Sequence, residues 1–579
     1  MFKLQFYSNN KLREISFFDN YEENDVKISV INNSSHIKLE LSTNQKVILK
    51  SLVAETDFKL SENDKIFVNG YQSWTDSQEF SANEKMKRLP FFAKITNKFF
   101  KFKQYGDYTF FKQKLKKGDF YGFAYAYIRN EENYKFFASN NENFAHTIIL
   151  FSVKEQKIRF IVDCENIEMT NTATLLDITQ LKGSKSIINE YFKSISDNKK
   201  ATPKIGWTSW YNYYQKINEK IILSNLEQFK NYFPKGSQFQ IDDGFQTAVG
   251  DWLSIDKYKF PNGLSPIVEK IHSLGYEAGL WLAPFSAQKN SKLAKDHPDW
   301  ILKDNNGKKV FGGINWGGFY ALDFYNKDVK NYLKNVFDTI LNYWNFDLIK
   351  LDFLYSVAII PQHGKSRAKV MSEAMDFLRE IVGEKKILGC GVPIAQAFNN
   401  VDYCRIGCDI SLDWNGKFYE KWLHRERVST YNSLKNTIFR HFLDDNVFLN
   451  DPDVFLLRND NIKLTKNQKI TLFLINSIFG SLVFTSDDFS KYEEWQKLLL
   501  KNLEYFHKAK VLSVEENNDL VKFSFKIENK TYLAFSNLSK KTMQINCVNL
   551  QLLDIFTFEK KQDNFQNSLQ PFETKLYEG

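Results

Sequence analysis

The chain has 579 residues, 43% apolar and 16% aromatic, which supports several hydrophobic cores and argues against bulk disorder. Its 78 basic and 69 acidic side chains leave a net charge of +9. That excess is spread thinly, and no run of like charges is long enough to mark a nucleic-acid arm. The most basic short stretch, 112–117 (KQKLKK), runs into Gly118 and Asp119 and reads as a solvated strand end and turn. No apolar stretch reaches the roughly 18 residues needed to span a membrane, and the amino terminus lacks the apolar core of a signal peptide. Five scattered cysteines fit a reducing compartment, and Cys404 with Cys408 has no second pair at zinc-ligand spacing. The expected setting is the cytoplasm.

Residues 1 to about 180 alternate apolar and polar side chains, with turn residues between the runs. Segments 26–30, 36–43, 46–53, 120–128 (FYGFAYAYI) and 147–163 (TIILFSVKEQKIRFIVD) each read as strand. Regularly spaced strands without helical stretches predict a large antiparallel sandwich over residues 1–182. Residues 183–200 read as a helix followed by a polar linker, which places a boundary at 183–203.

From Lys204 the pattern changes to short apolar strands alternating with helical stretches. In the helix at 369–383, Met371, Ala374, Leu378 and Ile381 share one face before Gly383 stops it. The strands fall at 204–210, 239–244, 277–285, 348–355, 386–393, 403–410, 446–453 and 480–488. Eight strands and their helices over 204–507 predict a (β/α)₈ barrel, with a doubly wound open sheet as the alternative. The gap after the third strand is long, and that between the fifth and sixth is too short for a full helix. Strands return after about residue 512, where LVKFSFKI and TYLAFSNL flank a hairpin connection read as the three residues ENK. Residues 508–579 are expected to form a small β domain.

Within the barrel, LIKLDFLY (348–355) is the telling stretch. A buried strand that carries Lys350 and Asp352 on one face must neutralise them or use them. Barrel active sites lie at the carboxyl ends of the strands. Those ends supply Trp207 and Trp210, Asp242 and Asp243, Trp281, Lys350 and Asp352, Cys390, Arg405 and Asp409, Asp451 and Asp453, and Asp487 and Asp488. Paired carboxylates among aromatic walls suit glycosidic bond cleavage: one carboxylate attacks the anomeric carbon and the other protonates the leaving oxygen. Other readings are that Trp207 and Trp281 are core residues, that Asp451 and Asp453 cap a loop, and that the aspartates bind a divalent metal, which the interleaved Lys350 and Arg405 oppose.

GWTSWYNYY, QIDDGFQ with GDW, GLWLAPF, IKLDFLY, CGVP, RIGCDIS, LNDPD with LLR, and NGYQSW (69–74) appear in order from about residue 65 to about 490. Together they resemble glycoside hydrolase family thirty-six, the microbial α-galactosidases. The resemblance implies an N-terminal β-supersandwich, a central (β/α)₈ TIM barrel and a C-terminal β-sandwich. It also implies retaining hydrolysis of terminal α-galactose from small oligosaccharides such as melibiose or raffinose, with no cofactor. By the same resemblance Asp352 matches the nucleophile and Asp409 the acid/base. Asp242 and Asp243 match the pair holding the far galactose hydroxyls, and Lys350 and Arg405 match cations of that subsite. Trp281 matches a wall residue, Trp74 an aromatic from the sandwich, and Cys390 and Gly391 the approach to the sugar's 2-position. Cys408 stands where relatives often carry proline or alanine. Lys350 is expected to depress the Asp352 pKa, and partial burial with neighbouring carboxylates to keep Asp409 protonated. A retaining site calls for carboxyl groups about 5–5.5 Å apart. Alternatives on the same scaffold are an α-N-acetylgalactosaminidase, a transglycosylase and a non-catalytic sugar-binding protein. The residues do not distinguish monomer from homo-oligomer.

Overall fold

A computed structural model describes residues 1–578 apart from 24–25, 62, 90, 92–94, 96, 98–100, 197–200, 418–424, 548–549 and 562–566. The polar linker expected at the end of the 183–200 segment lies partly outside the described residues; the helix before it spans Ser186–Ser194.

The amino-terminal third is two antiparallel sheets face to face. One runs in the order Lys11–Phe17, Phe2–Ser8, Val47–Asp57, Lys157–Val162, Thr147–Ser152, Asp119–Phe123. The other runs Tyr21–Glu23, Val26–Asn32, His36–Thr43, Ala173–Gly183, Asn133–Ser139, Tyr125–Asn130, Lys65–Val68, Gln78–Ser81. Leu4, Phe6, Leu39, Leu41, Phe120, Phe151 and Phe160 fill the space between them. The segment 120–128, read as one strand, is two: it leaves the first sheet at Phe123 and enters the second at Tyr125. Ala124 makes the crossing at φ 65°, with its N–H bonded to the Thr147 carbonyl at 3.0 Å. Segment 147–163 is likewise a hairpin, Ile148 opposite Ile161, turning at Gln156 with φ 53°.

Where the second sheet meets the barrel, strands Lys65–Val68, Tyr125–Asn130 and the end of Asn133–Ser139 are buried on both faces, which is why the AYAYI part of that run shows no polar alternation. Ile66, Val68, Ala126, Ile128 and Phe137 point into the sandwich. The intervening Phe67, Tyr125, Tyr127, Tyr134 and Phe136 join the barrel's own core.

The barrel strands are Lys204–Thr208, Gln238–Ile241, Glu277–Leu282, Leu348–Leu351, Lys386–Gly389, Tyr403–Arg405, Leu449–Asp451 with Val454–Phe455, and Leu482–Thr485, all paired in parallel. The seventh is broken at Pro452, where the chain gives up a ladder donor. Its first piece pairs with the sixth strand and its second with the eighth, so the sheet closes on itself. The fourth strand is shorter than the expected 348–355: it stops at Leu351, and Phe353 adopts a left-handed conformation (φ 52°) that opens a 3₁₀ turn at Leu354–Ala358. The short gap between strands five and six holds one helical turn, Ile394–Ala397. The long gap after strand three holds a three-stranded antiparallel sheet, Ser286–Gln288, Phe319–Ala321 and Phe311–Gly313 in that order. No helix among the described residues is long and apolar enough to cross a membrane.

The last described region is a five-stranded sheet beside a two-stranded one, Met543–Gln544 with Ser568–Leu569. Phe523 of the larger sheet meets Phe479 of the helix Lys466–Phe479 edge-on at 5.1 Å. The hairpin expected to turn on three residues turns on two, Glu528 and Asn529, because Ile527 pairs with Lys530 and Glu528 takes φ 53°.

Candidate active site

A cavity of about 420 Å³ opens at the carboxyl ends of the barrel strands. Of the candidate residues, Trp74, Trp210, Asp242, Asp243, Trp281, Lys350, Asp352, Cys408 and Asp409 line it. Lys350 lies on strand four and, just past that strand's end, Asp352 sits where the backbone turns. The two do not pair with each other. Lys350 Nζ bonds Asp242 Oδ2 at 2.9 Å, reaching across the third strand to the end of the second. Burial works against the ammonium, but Asp242 and then Asp352 outweigh it and hold its pKa well above the ordinary lysine value.

Asp352 is fixed by one donor on each oxygen: Phe353 N–H on Oδ1 at 2.9 Å and Trp281 Nε1–H on Oδ2 at 3.0 Å. Contrary to the expected depression by Lys350, burial pushes the Asp352 pKa up, and Lys350 only partly offsets it. Desolvation of a group 8% exposed is the larger effect. Asp243 is raised by burial too, against bonds from Gln246 (2.6 Å), Trp316 (2.8 Å) and Gln215 (2.8 Å). Gln240 and Lys350 both donate to Asp242 Oδ2, and the Asp243 N–H donates to its Oδ1. The paired carboxylates at strand two are thereby pinned in place.

Asp409 is less enclosed than expected, with its side chain 42% exposed, and its Oδ1 accepts from Arg405 Nη1 at 2.9 Å. Arg405 itself lies behind the cavity wall rather than on it. Its Nε also donates to Asp451 Oδ2, and its Nη2 forms an ion pair with Asp453 Oδ1, both at 2.9 Å. Asp451 and Asp453, weighed as loop caps, therefore form the acidic cradle of Arg405. Asp453 also holds the loop carrying Asp409, accepting from the Ile410 N–H at 2.8 Å and from the Tyr211 hydroxyl. Burial pushes Asp453 up to about 7 despite the adjacent Arg405.

Cys390 and Gly391 form the floor beneath Trp74. Trp74 Nε1 donates to Cys390 Sγ at 3.2 Å. Gly391 has φ 64°, and a Cβ there would lie 3.0 Å from the Trp74 ring. The loop carrying Trp74 docks on the end of strand five, with Ser73 N–H bonded to the Val392 carbonyl and Gly391 N–H to Ser73 Oγ, both at 2.8 Å.

Other candidates fall elsewhere. Trp207 is fully buried, its Nε1 on the Asp487 carbonyl at 3.1 Å, and is a core residue. Asp487 takes bonds from the Leu457 and Arg458 N–H groups, the Arg458 guanidinium and the Tyr492 hydroxyl, and Asp488 caps a 3₁₀ turn. Residue types alone missed Trp316, Asn315 and Tyr105, which also line the cavity. Trp316 and Asn315 come from the insertion after strand three, whose unusual length was the one available signal. Tyr105 comes from the sandwich region and bonds Asn315 Oδ1 through its hydroxyl at 2.6 Å.

Residues 199–387 match the model of the Melibiase family. An α-galactosidase of Escherichia coli is 30% identical over 183 residues, which is 30% of this chain and 25% of that enzyme. The chain thus spans about a quarter of that curated relative. Among solved structures, an α-galactosidase from Thermus thermophilus in complex with p-nitrophenyl α-D-galactopyranoside superposes with TM-score 0.69 at 23% identity, covering 87% of this chain and 98% of that one. The α-galactosidase AgaA from Geobacillus stearothermophilus, of glycoside hydrolase family thirty-six, gives TM-score 0.61 at 12% identity over 96% of this chain and 80% of that one. At those identities the likeness is one of fold.

Proposed function

We propose that this chain, whose residues 199–387 belong to the Melibiase family, is a retaining α-galactosidase. The carrying observation is the division of labour in one cavity. A carboxylate held by two donors, Asp352, stands beside a Lys350–Asp242 pair, while a more exposed carboxyl, Asp409, hangs on a shared arginine. Asp352 attacks the anomeric carbon as Asp409 gives a proton to the departing glycosidic oxygen. Water, deprotonated by Asp409, then frees the sugar from Asp352. Because Arg405 is also held by Asp451 and Asp453, Asp409 can leave it without stranding the guanidinium. Burial raises the Asp352 pKa, and Lys350 opposes that rise and so favours the ionised nucleophile.

Asp242, Asp243, Lys350 and the Trp281 and Trp316 rings form the glycone pocket, with hydrogen-bonding rims for hydroxyls and flat walls for the sugar face. The corner assigned to the 2-position is filled: Trp74 bonds Cys390, and a Cβ on Gly391 would meet the Trp74 ring at 3.0 Å. That filling favours a hydroxyl over an acetamido group there, hence galactose over N-acetylgalactosamine. Small oligosaccharides ending in α-galactose are the proposed substrates.

The test is release of nitrophenol from the α-galactoside and the α-N-acetylgalactosaminide, with Asp352→Ala in parallel. Cleavage of the galactoside alone, abolished by the substitution, is the expected result. Cleavage of the acetamido sugar in preference would reassign the substrate, and cleavage of neither by folded protein would overturn the reading.

A further inference from the structure

Trp316 walls the cavity from a backbone conformation that bulky side chains avoid. It takes φ 56° and ψ 28°, in the left-handed region, and the chain continues through Gly317 and Gly318 at φ 76° and 109°. A bulky residue stays in that region only where its surroundings impose it. The conformation has a use. From it the Trp316 Nε1–H donates to Asp243 Oδ2 at 2.8 Å, and the ring meets Trp281 at 5.9 Å and Phe353 at 4.8 Å.

The chain on both sides of Trp316 is tied down. After it, the Gly318 carbonyl accepts from the Lys289 N–H at 3.0 Å, a bond within the barrel insertion. Before it, the tie comes from the sandwich region. The Tyr105 hydroxyl accepts from the Ile314 N–H at 3.1 Å and donates to Asn315 Oδ1 at 2.6 Å. One hydroxyl thus holds the two residues that lead into Trp316. Burial pushes the Tyr105 pKa up to about 12, so the hydroxyl keeps the proton that Asn315 takes. Gln104 reinforces the contact by donating to the Phe311 carbonyl at 3.2 Å. The approach is close: a Cβ on Gly313 would lie 2.5 Å from the Tyr105 hydroxyl oxygen.

Tyr105 is itself anchored. Its carbonyl accepts from Gln72 Nε2 in the loop that carries Trp74, and its ring lies 5.8 Å from that of Tyr355. Docking of the sandwich does not call for this hydroxyl, because Phe67, Tyr125, Tyr127 and Phe136 already join the barrel core. We propose that Tyr105 is a positioning residue for the glycone pocket. By clamping Ile314 and Asn315 it keeps Trp316 against Asp243, and so sets how tightly the sugar is held. This rests on the α-galactosidase reading.

The test is Tyr105→Phe, which keeps the ring and removes the hydroxyl. KM for the nitrophenyl α-galactoside and the competitive Ki of free galactose are expected to rise together, about fivefold, for the two bonds lost. The fall in kcat is expected to be smaller than the rise in KM. Neither KM nor Ki depends on the fraction of protein that is folded, so a loss of folded enzyme does not imitate the result. Asn315→Ala is expected to raise the same two constants, and it supplies the measurement should Tyr105→Phe fold poorly. The double variant should go no further than Tyr105→Phe alone, because both changes break one contact. KM and Ki within twofold of the wild type in Tyr105→Phe, or effects that multiply in the double variant, overturn the proposal. Failure of the wild type to cleave the galactoside would instead be a failure of the underlying reading.

Discussion

Lys350 and Asp352 sit two residues apart, yet they belong to different halves of the chemistry. Lys350 answers to Asp242, and Asp352 to Trp281 and its own chain's N–H. Since burial raises the Asp352 pKa and Lys350 opposes the rise, the acid limb of kcat/KM should lie above the ordinary aspartate value of about 3.9. Activity needs the ionised form and is lost as pH falls through that limb. Lys350→Met removes the opposing cation and is expected to move the limb to higher pH, as read from a pH–rate profile with the aryl galactoside. Asp352→Ala should cut kcat by about a thousandfold or more, because the covalent route is gone and only binding and proton donation remain.

At the scale of elements, one barrel arginine governs how the sandwich reaches the site. Arg440, just past the helix Thr430–Phe439, is fully buried, with no carboxylate paired to it among the described residues. It donates instead to the carbonyls of Ser73 (2.8 Å), Ile406 (2.9 Å) and Gln72 (3.1 Å) and to Asn69 Oδ1 (3.0 Å). It thus ties the loop bearing Trp74 to the strand that leads to Asp409. Arg440→Met would leave those acceptors bare, at a cost of about 2–5 kcal/mol in denaturant unfolding. Because Trp74 would then be loosely held, KM for the aryl galactoside is expected to rise more than kcat falls, with Arg440→Lys restoring part of the loss.

For the whole molecule, the doubly buried part of the second sheet makes the sandwich and barrel interdependent. Phe67, Tyr125, Tyr127 and Phe136 face the barrel, where Phe442 packs edge-on against Phe67 at 5.9 Å and Tyr125 at 6.0 Å. A chain lacking residues 1–182 would expose that aromatic surface and lose Trp74 and Tyr105 from the cavity. It is expected to give little soluble protein and no measurable galactoside cleavage, assayed as soluble yield and activity beside the full chain. Recovery of full activity would show that the sandwich contributes nothing to the site.

Local pattern carried the eight barrel strands, the sandwich and the aspartates at the strand ends, because burial periodicity and the carboxyl-end rule of parallel barrels are both written along the chain. Pattern could not say who meets whom. The break at Ala124 hid inside an apolar run, since strands buried on both faces show no alternation. Trp74 meets Cys390 across 316 residues and Tyr105 meets Asn315 across 210. Lys350 chose Asp242 over its near neighbour because that carboxylate, two strands away, offered an oxygen at 2.9 Å within the barrel mouth. Residue type and spacing set which groups would be charged and buried. Only the closed barrel, with the sandwich docked against it, set their partners, because a hydrogen bond depends on distance in space and not along the chain.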